Sequence, residues 1–410
     1  MKNRSVKHWI VVGILCGLAA ASIGVCQNTP GVFYTAVSEE LGVLRGTFAL
    51  HATLSMMAIA VTTLQIPRIM RRLSFKRMII LGAVVMCAAT AAMSRASSIA
   101  VFYALAIIRG VGAALTANVP ISITINRWFR EKHGFATSIA FSFSGLAGAV
   151  CSPLLSRCIT AAGWRQAYLL QALMILIFCL PGVFIVFRPS PEDEGLLPYG
   201  AAAGVSEQRR PGSIPARLVF RLGSLSFLTL VAVTFLHTSI SGVSQHLSGV
   251  AQSLGFSAEI GALLLSLAMV GNISFKLLIG ILSDRTNPVK ASLTMIAVNA
   301  ISMLLLYFGA RSATAWMLFC GSFLFGSVYS VGAVGIALMT RYFFGSEQFS
   351  WVYPMLSFTT SLGSSSSLPI IGYIYDFAGS YLAAFLIDLC IDALNLILIS
   401  ALAVNAARKR

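Results

Sequence analysis

Long apolar segments separated by short polar ones make up most of the chain. Twelve of them are long enough to cross a bilayer as a helix: residues 9–35, 46–67, 78–94, 99–125, 134–156, 166–187, 222–246, 257–282, 290–309, 313–340, 348–373 and 380–405. A helix needs about 20 apolar residues to cross the hydrocarbon core, where it satisfies its own backbone hydrogen bonds. The pattern therefore predicts an all-α membrane protein with twelve transmembrane helices.

The composition agrees with this prediction. Of the 410 residues 57% are hydrophobic and only 10% are charged, whereas soluble proteins carry about 25% charged residues. A soluble enzyme and a nucleic-acid-binding protein are both excluded, although the formal net charge is +16.

The positions of the basic residues explain that charge. If the N-terminus lies in the cytoplasm, 22 of the 29 lysines and arginines fall in cytoplasmic segments and five fall outside. Such a bias orients membrane proteins and places positive charge against anionic lipid. We expect a multi-pass plasma-membrane protein with both termini in the cytoplasm and no nucleic-acid partner.

No pattern typical of a cofactor, a metal site or catalysis is found. The eight cysteines are scattered in or beside apolar segments and include no C-x-x-C pair, which indicates packing rather than metal binding. The sequence contains no phosphate-binding glycine loop and no nucleophile elbow. We expect no cofactor, no metal and no enzymatic activity.

The longest polar interval, 188–217, is rich in proline, glycine and charged residues. This composition predicts a flexible cytoplasmic linker between an N-terminal six-helix bundle (1–187) and a C-terminal one (218–410). The halves match: Leu41-Gly42 corresponds to Leu254-Gly255 at an offset of 213, and 126–129 corresponds to 340–343 at an offset of 214. A duplicated six-helix unit is typical of transporters that bind substrate between the repeats.

The loop between spans 8 and 9 resembles a motif of the major facilitator superfamily. It reads Gly280-Ile-Leu-Ser-Asp284-Arg285, and the first-half copy departs from the motif with Pro67 for Gly and Arg71, followed by Arg72, for Asp. The span 4 sequence Arg109-Gly110-Val-Gly112 is also similar to the superfamily. The resemblance implies transport by alternating access, with Gly280, Asp284, Arg285, Arg71 and Arg72 in the conformational loops.

Within the superfamily, the chain resembles the oxalate/formate antiporter and monocarboxylate transporter group. The segments that carry this resemblance are Gly31-Val-Phe with Glu40-Leu41-Gly42, Arg127-Trp128-Phe129 through Gly163-Trp164-Arg165, and Asn272-x-x-x-Lys276-x-x-x-Gly280. That group usually has arginine in place of Lys276 and often aspartate in place of Asn272. The second cation of oxalate exchangers is missing, because span 11 has no lysine.

Arg109 and Lys276 are the two basic residues that fall inside spans, where a charge costs roughly 2.5–3.5 kcal/mol. Lys276 lies about 12 Å from the cytoplasmic end of its span, beyond the reach of a side chain that extends to the interface. Asn272 precedes it by four residues and shares its helix face, so the pair predicts an anion-binding site. Arg109 either binds a substrate carboxylate, couples to protons, or makes a structural contact between helices.

Five further polar residues are candidates for transport. Asp388 and Asp392, four residues apart in span 12, are candidates for proton coupling or for structural packing. His237 in span 7 is a candidate for both substrate binding and proton coupling. Gln27 and Asn28 interrupt span 1, where a broken helix would expose polar groups to substrate.

These observations predict a secondary active transporter of a small organic anion, a mono- or dicarboxylate, by proton symport or anion exchange. The alternatives are proton-coupled transport of a neutral or cationic compound, and a non-transporting membrane receptor or scaffold. The expected partners are the anion, protons or a counter-anion, and membrane lipid, and we expect a monomer.

Overall fold

The structure, a computed structural model, describes residues 2–185, 188, 190–201 and 224–407. The helices of the first half are α1 (Lys2–Ala19), α2 (Tyr34–Leu41), α3 (Arg45–Thr63), α4 (Ile66–Arg72), α5 (Phe75–Met93), α6 (Ile99–Ala114), α7 (Asn118–Trp128), α8 (His133–Ala162) and α9 (Trp164–Phe184). Those of the second half are α10 (Leu225–Thr238), α11 (Val243–Ser253), α12 (Ala258–Arg285), α13 (Pro288–Arg311), α14 (Ala315–Ser330), α15 (Ile336–Ala378) and α16 (Leu382–Ala407).

A single glycine divides the longest helical segment into two spans and so determines how many spans there are. Eleven segments of the described chain are long and apolar enough to cross a membrane, and one of them, Ala315–Tyr375, is 61 residues long. That is about three times the length a bilayer requires. Gly345 interrupts it with a φ of 73°, so the segment forms two spans. The prediction of twelve transmembrane helices is confirmed.

Three spans are broken rather than continuous. The first continues from α1 through a π-helix over Ala20–Val25 and resumes with a 3-10 turn at Pro30–Phe33. Breaks that the sequence analysis did not predict separate α6 from α7 and α10 from α11. At the first of these, Pro120 in the opening turn of α7 has no N–H to continue the helix backwards. At the second, the Gly242 N–H donates to Ser367 Oγ at 2.7 Å, so a side chain replaces the lost helical partner.

The internal repeat is visible in the backbone. Gly42 and Gly255 both have a positive φ, at 63° and 80°, and lie 213 residues apart. Lys132 and Gly345, also 213 residues apart, have φ values of 53° and 73° just before the fifth and eleventh spans. A non-glycine residue such as Lys132 rarely adopts this conformation. The two six-helix units are therefore related in local geometry as well as in sequence.

The linker differs from the prediction in its first part. Lys7 pairs with Glu194, and the Tyr199 N–H donates to Trp128 O at 2.8 Å. The N–H groups of Arg130 and Glu131 donate to Tyr199 O at 3.0 and 3.1 Å. Residues 190–201, which we call the strap, are thus held against the first half instead of being flexible, while residues 202–217 lie outside the described ranges. Composition missed the strap because it does not reveal which residues contact it, here backbone groups after α7 and the aromatic rings of Trp9 and Phe129 against Tyr199. We call the end of the molecule that carries the strap the linker side.

Glycines permit the closest helix contacts, as is usual in membranes. A Cβ added at Gly326 of α14 would overlap backbone atoms of Gly271 and Asn272 in α12. A Cβ added at Gly280 of α12 would overlap Ser138 and the Gly134 carbonyl in α8. The first contact fixes α12 within its own half, and the second brings the two halves together.

We expect Gly326→Ala to lower the thermal unfolding temperature of the purified protein, because α12 and α14 must separate to admit the methyl group. Overpacking of this kind costs about 1–3 kcal/mol. The matched control is Gly13→Ala in α1, where an added Cβ meets no atom within 4 Å. Equal unfolding temperatures for the two variants would contradict the proposed close contact.

Candidate functional site

Lys276 lies where the two halves meet. Its side chain is only 5% exposed, and its ammonium donates to Phe141 O at 3.3 Å and to Ser144 Oγ at 3.2 Å. Phe141 and Ser144 belong to α8 of the first half, whereas Lys276 belongs to α12 of the second. The side chain therefore does not extend to the membrane surface but bonds across the interface.

Ser144 connects this lysine to the break in span 1. Its hydroxyl donates to Phe141 O at 2.7 Å, and its carbonyl accepts from Asn28 Nδ2 at 3.3 Å. Asn28 is exposed although it lies in the middle of a span. Lys276, Ser144 and Asn28 form what we call the interface site, and Asn28 is its accessible member.

The other two predicted residues near this site differ in their contacts. Asn272 is 3% exposed and its Oδ1 has no hydrogen-bond partner in the described part of the chain. Its side chain faces Gly145 of α8, whose added Cβ would lie 3.9 Å from Asn272 Cγ. Gln27 donates instead to Ser22 O in its own span at 3.0 Å.

The electrostatics of the interface site favour an anion. Lys276 has three N–H donors, and the two acceptors it contacts are neutral. Neither it nor Arg109 forms an ion pair with any described residue. A buried ammonium without a counter-ion is costly, and a carboxylate is stronger than a neutral acceptor at such a site. The geometry can therefore bind a carboxylate between the halves.

Arg109 is not brought to this site. It is 1% exposed within the first half, and its Nη1 lies 3.7 Å from Met93 Sδ. It interacts electrostatically with His51 and Tyr168. The described residues offer no hydrogen-bond partner to Arg109 Nε and Nη2, His51 Nε2 or the Tyr168 hydroxyl.

Helix positions put the two cations at different depths. Arg109 follows the start of α6 by ten residues, about 15 Å, whereas Lys276 follows the start of α12 by 18 residues, about 27 Å. Both helices start on the side opposite the linker. Counted from these helix starts, the two cations differ by eight residues, about 12 Å of helix rise, and among the described residues no hydrogen bond joins Arg109 to the interface site.

His237 and the two span 12 aspartates also lie away from Lys276. His237 is fully buried, with Nε2 at 3.1 Å from Val328 O of α14. Asp392 Oδ2 accepts from Asn299 Nδ2 of α13 at 2.6 Å. Among the described residues, the two buried cations, Arg109 and Lys276, therefore form no ion pair with the two buried aspartates of span 12.

One predicted loop residue, Asp284, joins the two halves on the linker side. Asp284 accepts from the backbone N–H groups of Gly134 and Phe135, both at 2.8 Å, at the start of α8. No side chain of α8's own N-cap, Lys132, satisfies these donors, so a carboxylate from the other half does. Arg341 adds a bond to Phe129 O at 2.9 Å.

The first-half loop has a different contact. Arg71, which stands where the superfamily motif has aspartate, lies 4.8 Å from the ring centroid of Trp351 in α15. A cation–π contact therefore also crosses between the halves. Arg72 and Arg285 are exposed.

Sequence reasoning missed Ser144, Tyr168 and Asn299 as members of polar clusters. Ser144 directly precedes the Gly145-x-x-Gly148 pattern, whose close helix approach was a usable signal. Tyr168 and Asn299 gave none, because a single polar residue in a span is ordinary.

Twelve spans in two related halves, with a buried cation at their junction, define a secondary transporter. The chain belongs to the Major Facilitator Superfamily, whose family model matches residues 16–249. The structure resembles that of the proton:xylose symporter XylE, with a TM-score of 0.78, 14% identity and coverage of 97% of this chain and 96% of that one. The E. coli fucose:proton symporter FucP superposes with a TM-score of 0.69 at 16% identity, over 96% of this chain and 99% of that one. These two likenesses support the fold alone.

Several known proteins are similar in sequence. One, a probable sulfoacetate transporter of Cupriavidus necator, is 24% identical over 295 residues, covering 70% of this chain and 67% of that protein. Monocarboxylate transporter 12 of Mus musculus is 25% identical over 312 residues, covering 70% of this chain. The chain spans 63% of the length of the mouse protein. The expected resemblance to the monocarboxylate group is confirmed.

Proposed function

We propose that the protein transports a small organic anion, a mono- or dicarboxylate, across the plasma membrane by alternating access. The bundles 1–187 and 218–410 move relative to each other, joined by the linker 188–217. Both termini lie in the cytoplasm, and the monomer is the working unit. Relatives named for sulfoacetate and monocarboxylate transport support an anionic substrate.

One observation carries this proposal: Lys276 is buried at the interface, and its partners among the described residues are two neutral acceptors and no acid. A carboxylate would replace the Phe141 carbonyl and the Ser144 hydroxyl as its partner. Asn28 and Asn272 lie beside this position and supply amide groups that can orient the carboxylate.

The same contacts link binding to movement. The bonds from Lys276 to α8 join the two halves, as do the Asp284 and Arg341 contacts on the linker side. Opening of the linker side requires all of them to break. A bound anion accepts hydrogen bonds from the Lys276 ammonium in place of α8 and so offsets the loss of the bonds to Phe141 and Ser144. Substrate binding and opening are therefore coupled.

A flux experiment in proteoliposomes tests the function. We expect wild-type protein to exchange radiolabelled C2–C6 carboxylates across the membrane and the exchange to saturate with substrate. Neutral primary amides of the same acids and organic cations of similar size should neither move nor compete. Transport of the amides or cations in preference to the acids would overturn the proposal, as would the absence of exchange for every compound.

A further inference from the structure

A second buried polar cluster lies within the C-terminal half, between α13 and α16. Asp388, Asp392 and Asn395 follow one another at four- and three-residue spacing on α16 and therefore share a face. Their exposures are 4%, 0% and 0%. Asn299 of α13, which is also fully buried, donates to Asp392 Oδ2 at 2.6 Å. We call these four residues the α13–α16 cluster.

Most of the polar atoms in this cluster have no partner. Asp388 Oδ2, Asp392 Oδ1 and Asn299 Oδ1 accept no hydrogen bond from any described residue. Both polar atoms of Asn395 are likewise unpartnered within the described ranges, although the side chain is fully buried. Buried polar groups are normally satisfied. Four of these five unpartnered atoms are oxygens, so they indicate a ligand that accepts electron pairs.

The charges around the cluster indicate that this ligand is positively charged. Two carboxylates lie one helical turn apart in an apolar surrounding, where an uncompensated charge is costly. The helices packed against α16 are α13, α10 and α15. The basic, acidic and imidazole side chains that the structure describes on these helices are Lys290, Arg311, His237, Arg341 and Glu347. None of these pairs with either aspartate in the described chain.

We propose that the α13–α16 cluster binds the monovalent cation that couples to transport, with carboxylate and amide oxygens as its ligands. The inference rests on the proposed transport function and adds an ion site to it. A set of oxygen ligands suits Na⁺, a hard cation, and either carboxylate can instead take up H⁺ as an O–H proton; both ions neutralise the same buried negative charge. The site lies apart from Lys276, so the cation and the organic anion bind to different parts of the protein.

Coupling and exchange can be measured separately in proteoliposomes. Carboxylate uptake is driven by an inward pH gradient, by an inward Na⁺ gradient, or by neither, and carboxylate exchange is followed without any ion gradient. We expect one gradient to stimulate uptake by wild-type protein. Asp392→Asn should lose this stimulation and retain the exchange, and Asp388→Asn should behave in the same way.

The control is Glu259→Gln, which changes an acid at the exposed start of α12 and should keep both activities. Stimulation that survives in Asp392→Asn overturns the cation site, as does wild-type exchange that neither gradient stimulates. If Asp392→Asn does not fold, Asn395→Leu decides in its place by the same two readouts. Failure of the transport proposal is distinct, because wild-type protein would then show no carboxylate exchange.

Discussion

Lys276→Met is expected to abolish carboxylate exchange in proteoliposomes while the protein still folds. Methionine occupies about the same volume as the lysine side chain but lacks the positive charge that the anion requires. Loss of one partner of a buried charge pair costs about 2–5 kcal/mol, so affinity should fall by roughly thirtyfold or more. Initial rates of exchange at low substrate concentration measure this change.

Two control variants separate charge from fold. Lys276→Arg keeps the charge and introduces the residue usual in the resembling transporter group, so we expect it to retain measurable exchange. Arg157→Met removes a basic charge at an exposed position of α8 and should behave as wild type. If Lys276→Met exchanges carboxylates at the wild-type rate, the anion does not bind at this lysine.

Asp284→Asn is expected to loosen the linker side of the molecule. The substitution removes the charge that holds the Gly134 and Phe135 N–H groups, and an amide presents one acceptor oxygen in place of two. Because Asp284 is exposed, we expect a loss of about 1–2 kcal/mol from this contact. The closed arrangement of the linker side should then be disfavoured roughly five- to thirtyfold.

Hydrogen exchange read by mass spectrometry checks this change at the site itself. The peptide that contains Gly134 and Phe135 should exchange faster in Asp284→Asn than in wild type, whereas peptides from α16 should not change. Glu259→Gln serves as the matched loss of an exposed acid. Unchanged exchange at Gly134 and Phe135 would show that Asp284 does not hold the halves together.

The fold could be predicted because insertion into a membrane depends on the length and hydrophobicity of whole segments, which can be read from the sequence. Apolar length determines the spans, and the repeat offset of 213 reappears in the left-handed backbone at Lys132 and Gly345. The breaks before Pro120 and at Gly242 were not predicted, since apolar length does not reveal where backbone groups are satisfied by another helix. The strap was missed for a related reason, because composition does not reveal that Tyr199 bonds to the backbone after α7 and packs its ring against Phe129.

The candidate site could be predicted only in part. Sequence gives the depth of a residue along its helix but not which neighbour its side chain meets. Lys276 was therefore identified, but its partner Ser144 was not, and Arg109 was grouped with it although it lies in a separate cluster. For the same reason the sequence did not indicate that Asp392 contacts Asn299, which lies 93 residues earlier in the chain.

Equilibrium binding tests the central claim, that a carboxylate binds Lys276 between the two halves. Calorimetric titration of the purified protein with a C3 monocarboxylate, and separately with its neutral primary amide, compares ligands of equal size and different charge. We predict that wild type binds the acid and not the amide, and that Lys276→Met binds neither. Equal affinity of wild type and Lys276→Met for the acid would contradict the account.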